Sequence, residues 1–142
     1  MQNCQSTSKA SQIKVEEKGK RAIFLNPKKE KLVRTMFDGC VVNNAIAADW
    51  IVSKNGIGDV IVELKGCKIE HAADQICATA KYLTDHGHRQ GKVSGLIVCS
   101  RYPSEDSTFQ RIQLRFAKTF NGPIRAVNKV AVMTFDNALA FP

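Results

Sequence analysis

The stretch Asp59-Val60-Ile61-Val62-Glu63-Leu64-Lys65 limits what this chain can fold into more than any other. It is rich in β-formers, yet it carries an acid and a base two residues apart, which on a strand share one face. Burying such charges costs several kcal/mol unless they are paired or bind a metal. A second run, Ala47-Ala48-Asp49-Trp50-Ile51-Val52, puts another carboxylate in an equally apolar setting. Between the runs lies Ser53-Lys54-Asn55-Gly56-Ile57-Gly58, whose Asn-Gly pair is a strong hairpin signal. The pattern predicts a hairpin that concentrates Asp49, Glu63 and Lys65 in the middle of a sheet. Two carboxylates suit Mg²⁺, which prefers oxygen ligands and keeps several waters. A neighbouring lysine can orient or deprotonate one of those waters.

The flanking pattern is that of an α/β protein. Strands are expected at 13–15, 22–25 and within 31–42, where Asp38-Gly39 reads as a tight turn or a bend inside a strand. After the hairpin, Ile69, Ala72, Ala73, Ile76, Ala80 and Leu83 recur at helical spacing, which predicts an amphipathic helix over 69–84. Residues 93–100 read as a buried strand. Ser107 reads as the N-cap of a second helix carrying the stripe Phe109, Ile112, Phe116, Phe120. Residues 127–135 supply a last strand. Residues 1–11 are polar and aperiodic and read as a disordered tail, leaving 12–142 as a single domain.

Asp49, then thirteen residues, then Glu63-Leu64-Lys65 in a hairpin followed by an amphipathic helix resembles the PD-(D/E)xK nuclease superfamily of restriction endonucleases, Holliday-junction resolvases and RecB-like exonucleases. The resemblance covers roughly residues 30–135. It implies a restriction-endonuclease-like three-layer sandwich, a central mixed β-sheet flanked by helices. It also implies hydrolysis of phosphodiester bonds, in DNA rather than RNA, with Mg²⁺ or Mn²⁺. Asp49 and Glu63 correspond to the metal-binding acids, Lys65 to the motif lysine, and the Leu64 carbonyl to a further ligand. Gln75 corresponds to a helix glutamine that faces the site in some branches. Where the family name places a proline, this chain has Ala48. The acid that many members carry upstream has a weak counterpart in Glu30, and Asp38 is an alternative third carboxylate.

Charge fits a polyanionic partner. The chain is +8 overall, and residues 1–34 hold nine Lys/Arg against three Glu, a surplus of six. Arg111, Arg115 and Lys118 follow helical spacing opposite the Phe109 stripe, as a ridge that tracks a phosphate backbone or as an ordinary solvated face. Arg101 and Tyr102 close a strand beside the expected site, where they contact nucleic acid or only shape a loop. His71, His86 and His88 lack a strand-borne partner for histidine-based cleavage. Cys67 and His71 have zinc-like spacing without two further ligands. The five cysteines are odd in number, and Cys40, Cys77 and Cys99 sit in apolar runs, as reduced core cysteines do. The N-terminus lacks an apolar signal segment, so a cytoplasmic protein is expected, with a homodimer or partner protein completing so small a nuclease. The competing reading is a catalytically inactive, nuclease-like module that binds nucleic acid or protein.

Overall fold

A computed structural model describes residues 1–64, 68–100 and 107–142. The hairpin forms as the sequence dictates. Strand β5 (Trp50–Lys54) pairs antiparallel with β6 (Gly58–Glu63), and Gly56 takes a positive φ of 74° in the turn, closed by Ile57 N–H to the Lys54 carbonyl at 3.0 Å. On the far side of β5 lie β4 (Leu32–Met36) and then β1 (Gln5–Ser8), both antiparallel. On the far side of β6 the pairing turns parallel: helix α1 (Ile69–Asp85) leads to β7 (Lys92–Cys99), and α2 (Ser107–Phe120) leads to β8 (Ile124–Asn128). The result is a six-stranded mixed sheet of order β1-β4-β5-β6-β7-β8.

Strand alternation sorts the core into two layers. Ile51, Ile61, Val93, Ile97 and Cys99 face α1 and α2, where they pack with Ile69, Ala72, Ile76, Phe109 and Phe116. Val52, Val60, Val62, Leu64, Leu96 and Val98 face the other way. Every residue of β6 is therefore buried, which explains its apolar centre Val60-Ile61-Val62 and sets the acids Asp59 and Glu63 at its two ends in buried positions.

What covers the second face differs from expectation. It is a small three-stranded sheet, β2 (Gln12–Glu17), β3 (Lys20–Leu25) and β9 (Val130–Thr134), with the five-residue helix α3 (Phe135–Leu139). Strands β2 and β3 form a hairpin whose two-residue loop, Lys18-Gly19, has φ of 48° and 81°, the left-handed pair a twisted hairpin requires. Ile13, Val15, Ala22 and Phe24 point inward from it. Mixed α/β architecture thus stands, but with helices on one face and mainly strands on the other.

The stretch 127–135, expected as one strand, is divided between the sheets. Lys129 adopts φ 62°, its N–H donates to Cys99 of β7 at 2.8 Å, and its carbonyl accepts from Arg21 of β3 at 3.2 Å. One residue in a left-handed conformation therefore hands the chain from the large sheet to the small one. Arg125 secures the end of that excursion by donating to the carbonyls of Ala138 and Ala140, each at 2.6 Å.

The N-terminus also departs from the sequence reading. Residues 2–4 form a short 3-10 turn, Gln5–Ser8 pairs with β4, and Cys4 is joined by a disulfide to Cys40. Cys40 is accordingly not a reduced core cysteine, whereas Cys99 is buried and its thiol donates to the Val127 carbonyl at 3.7 Å. A polar segment without periodicity becomes ordered because sheet pairing and a covalent bond, neither visible as a local pattern, hold it. Asp38-Gly39 lies in a turn, with Gly39 at φ 87° and its N–H on the Val42 carbonyl at 2.8 Å.

Candidate functional site

The register of the hairpin brings the two central acids together. Trp50 pairs with Val62, so one further step along the ladder sets Asp49 opposite Glu63, on the face covered by α1. Side chains directly opposite in an antiparallel pair have Cβ atoms about 5 Å apart. Asp49 is 5% exposed and Glu63 1%. The Leu64 N–H donates to Asp49 Oδ2 at 2.9 Å, fixing the aspartate across the end of β6. Leu64 itself is buried on the opposite face. Lys65 follows directly but lies outside the described residues, as do Cys67, Arg101 and Tyr102.

The approach to Asp49 is held by α1. Gln75 Nε2 donates to the Ala47 carbonyl at 3.2 Å, so the glutamine grips the segment leading into Asp49 through its carboxamide. Thr79, fully buried, was not among the expected site residues. Its hydroxyl accepts from the Ala48 N–H at 2.9 Å and donates to the Gln75 carbonyl at 2.8 Å. A polar residue on the apolar stripe of α1, between Ile76 and Leu83, was the sequence signal for this contact. The bond also gives Ala48 a physical meaning. A proline there has no N–H to give Thr79. Replacing Thr79 by valine keeps the shape and strands the buried Ala48 N–H, at an expected cost of about 1–3 kcal/mol. Thr79→Ser should recover most of it, and urea unfolding of the two variants checks both. Equal midpoints for wild type and Thr79→Val would contradict this role.

Of the other expected acids, Glu30 lies at the far end of β5 and Asp38 beside the segment that leads into Asp49. Glu30 pairs with Lys54, which ends β5 at the hairpin turn, roughly 16 Å along the strand from Asp49. That contact holds the Glu30 carboxyl below the usual range. Asp38 occupies the turn after β4, its N–H on the Ala48 carbonyl at 3.2 Å. Among the described residues no three His, Cys, Asp or Glu side chains are grouped to hold a metal ion. Arg111 and Arg115 are exposed on α2 and line a cleft of about 270 Å³ with Glu70 and Asp74 of α1, while Lys118 lies exposed in the last turn. His86 and His88 are exposed at the end of α1, their rings stacked with Tyr82, and His71 is exposed on that helix.

A third buried acid, Asp59, shares the helix-facing side of β6 at its opposite end. It is 1% exposed, accepts from Ser53 Oγ at 2.5 Å and from the Gln90 N–H at 2.9 Å, and ties the hairpin to the loop after α1. Burial raises its carboxyl above the ordinary 3.8 despite these two bonds. Because the folded value is the higher one, its contribution to stability is complete below about pH 3.8 and is lost as pH rises through the raised value. Unfolding of the wild type and Asp59→Asn across pH 4–7 should therefore show the wild type losing stability relative to the variant as pH rises. A difference that stays constant with pH would refute it.

Comparison with protein-family models, with curated proteins and with solved structures finds no match.

Proposed function

We propose that this chain is a metal-dependent nuclease acting on phosphodiester bonds, with DNA the favoured substrate. The observation that carries this reading is the placement of two buried carboxylates, Asp49 and Glu63, opposite each other at the carboxyl end of β6. In sheets of this kind the carboxyl ends of parallel strands are where ligands bind. The donor set fits the implied ion. Mg²⁺ is commonly held by one or two carboxylates, completing its octahedron with water and substrate phosphate, so a third protein acid is not required. Asp49, Glu63 and the Leu64 carbonyl would hold it, and when bound it neutralises charge building on the phosphate.

The remaining work falls to the chain itself. The Leu64 N–H and the Gln75–Thr79 pair position Asp49 before substrate arrives, so little reorganisation is needed during reaction. Lys65, next along from Leu64, orients the attacking water and takes or shares its proton. Arg111 and Arg115, on the helix that follows β7, meet the phosphate backbone beside the first turns of α1. A homodimer or a partner protein completes the hold on a duplex.

The test is incubation of the purified protein with supercoiled plasmid, single-stranded DNA and RNA, in Mg²⁺, Mn²⁺ or EDTA. Cleavage of DNA with either metal, and none in EDTA, is expected. Salt-sensitive binding without cleavage under any condition would favour the inactive binding module instead.

A further inference from the structure

The disulfide lies in the turn bonded to the segment that carries Asp49 and leads into β5. Cys40 sits in the turn 37–42, which is closed by Val42 N–H to the Phe37 carbonyl at 3.1 Å and Gly39 N–H to the Val42 carbonyl at 2.8 Å. The same turn is bonded directly to the acidic segment: Phe37 N–H donates to the Asp49 carbonyl at 3.0 Å, and Asp38 N–H to the Ala48 carbonyl at 3.2 Å. Through Cys4 the bond ties this turn to the N-terminal segment. That segment is otherwise held by four rungs of β1 on β4, by Gln5 Nε2 donating to Thr35 Oγ1 at 3.2 Å, and by Met1 resting on the helix-side core. Gln5, Ser6 and Thr7 are exposed, so burial contributes little to keeping β1 in place. Both cysteines are half-buried.

We infer that the Cys4–Cys40 disulfide is a redox clamp on the acidic segment that leads into β5. When closed it holds β1 on the sheet edge and the 37–42 turn against Ala48 and Asp49. A cellular dithiol opens it by exchange: two electrons and two protons pass to the Cys4 and Cys40 sulfurs, and the reductant closes its own disulfide. The N-terminal segment then loses its covalent anchor, and the turn loses the tether that limits its motion. Asp49 remains in sequence but is less firmly placed opposite Glu63. The clamp stands on the geometry alone; its control of cleavage rests on the nuclease reading.

Hydrogen exchange measured on the full chain, before and after dithiothreitol, tests it beside the double variant Cys4→Ser, Cys40→Ser. Reduction should raise exchange at least about tenfold in residues 1–8 and 37–49 and leave 92–99 unchanged, local opening being what such exchange reads. The double variant should exchange at the raised rate with or without reductant. Unchanged exchange at 37–49, or alkylation of both cysteines before reduction, would overturn the clamp. Plasmid cleavage under the same conditions should fall at least about tenfold on reduction in the wild type and not respond to reductant in the variant, about 1.4 kcal/mol for each factor of ten. Raised exchange with an unaltered cleavage rate would refute control of the site. Raised exchange with no cleavage in either state would leave the clamp standing and remove the nuclease reading.

Discussion

Changing Glu63 to glutamine should lower metal-dependent DNA cleavage by about 10³-fold or more, equivalent to about 4 kcal/mol of barrier, while the protein stays folded. The reasoning is electrostatic. Glutamine matches glutamate in shape, so the fully buried position opposite Asp49 remains filled. It removes the negative charge that would hold the cation, and a neutral amide is a poor substitute as a hard-metal ligand. Asp49→Asn is expected to behave alike. Its side-chain oxygen can still accept from the Leu64 N–H, so the local backbone keeps its bond while the charge is lost. Cleavage rates on plasmid DNA, with thermal melts to verify folding, measure both. Retention of more than a tenth of the activity in either variant would remove that carboxylate from the site.

The largest effect on stability is expected from Phe24→Ala, at about 3–5 kcal/mol. Phe24 is fully buried and points from β3 into the layer between the two sheets, against residues such as Leu96 and Val98. Truncating it removes apolar contact and leaves a cavity that neighbouring strands on both sides cannot easily close. Val132 provides the control: it lies on β9 of the same small sheet but is 55% exposed, so Val132→Ala should stay within about 0.5 kcal/mol. Urea denaturation of the pair separates the outcomes. A cost below about 1 kcal/mol for Phe24→Ala would mean that the small sheet does not pack on the large one.

Where the sequence was informative, local physics decided the structure. Asn55-Gly56 supplies the positive φ of a hairpin, and the 69–84 periodicity appears as α1 with one terminal residue added. The apolar runs of β6 and β7 are buried on both faces. The approximate register of Asp49 against Glu63 followed from the hairpin alone. The rest depended on partners distant in the chain. Nothing near Cys4 marks Cys40 as its mate. Residues 127–135 are β-rich apart from Asn128-Lys129, and that pair is only a weak mark of the switch of sheets at Lys129. The small sheet was visible as strands but not as a layer, because alternation tells which face is buried and not what covers it. Glu30 and Asp38 illustrate the same limit for the site. Their residue type suits a metal, but Glu30 pairs with Lys54 at the far end of β5, and Asp38 meets the segment before β5 through its backbone N–H on the Ala48 carbonyl. Thr79 was legible in principle, as a hydroxyl set among alanines and isoleucine on a buried helical stripe.

The central claim, that Asp49 and Glu63 together hold a divalent cation, is tested most directly by titrating the purified protein with Mn²⁺ and following bound metal by electron paramagnetic resonance, beside Glu63→Gln. The account predicts saturable binding to the wild type at one or two sites per chain, displaced by Mg²⁺ and lost in the variant. Wild-type and variant proteins that bind Mn²⁺ equally, or not at all, would contradict it.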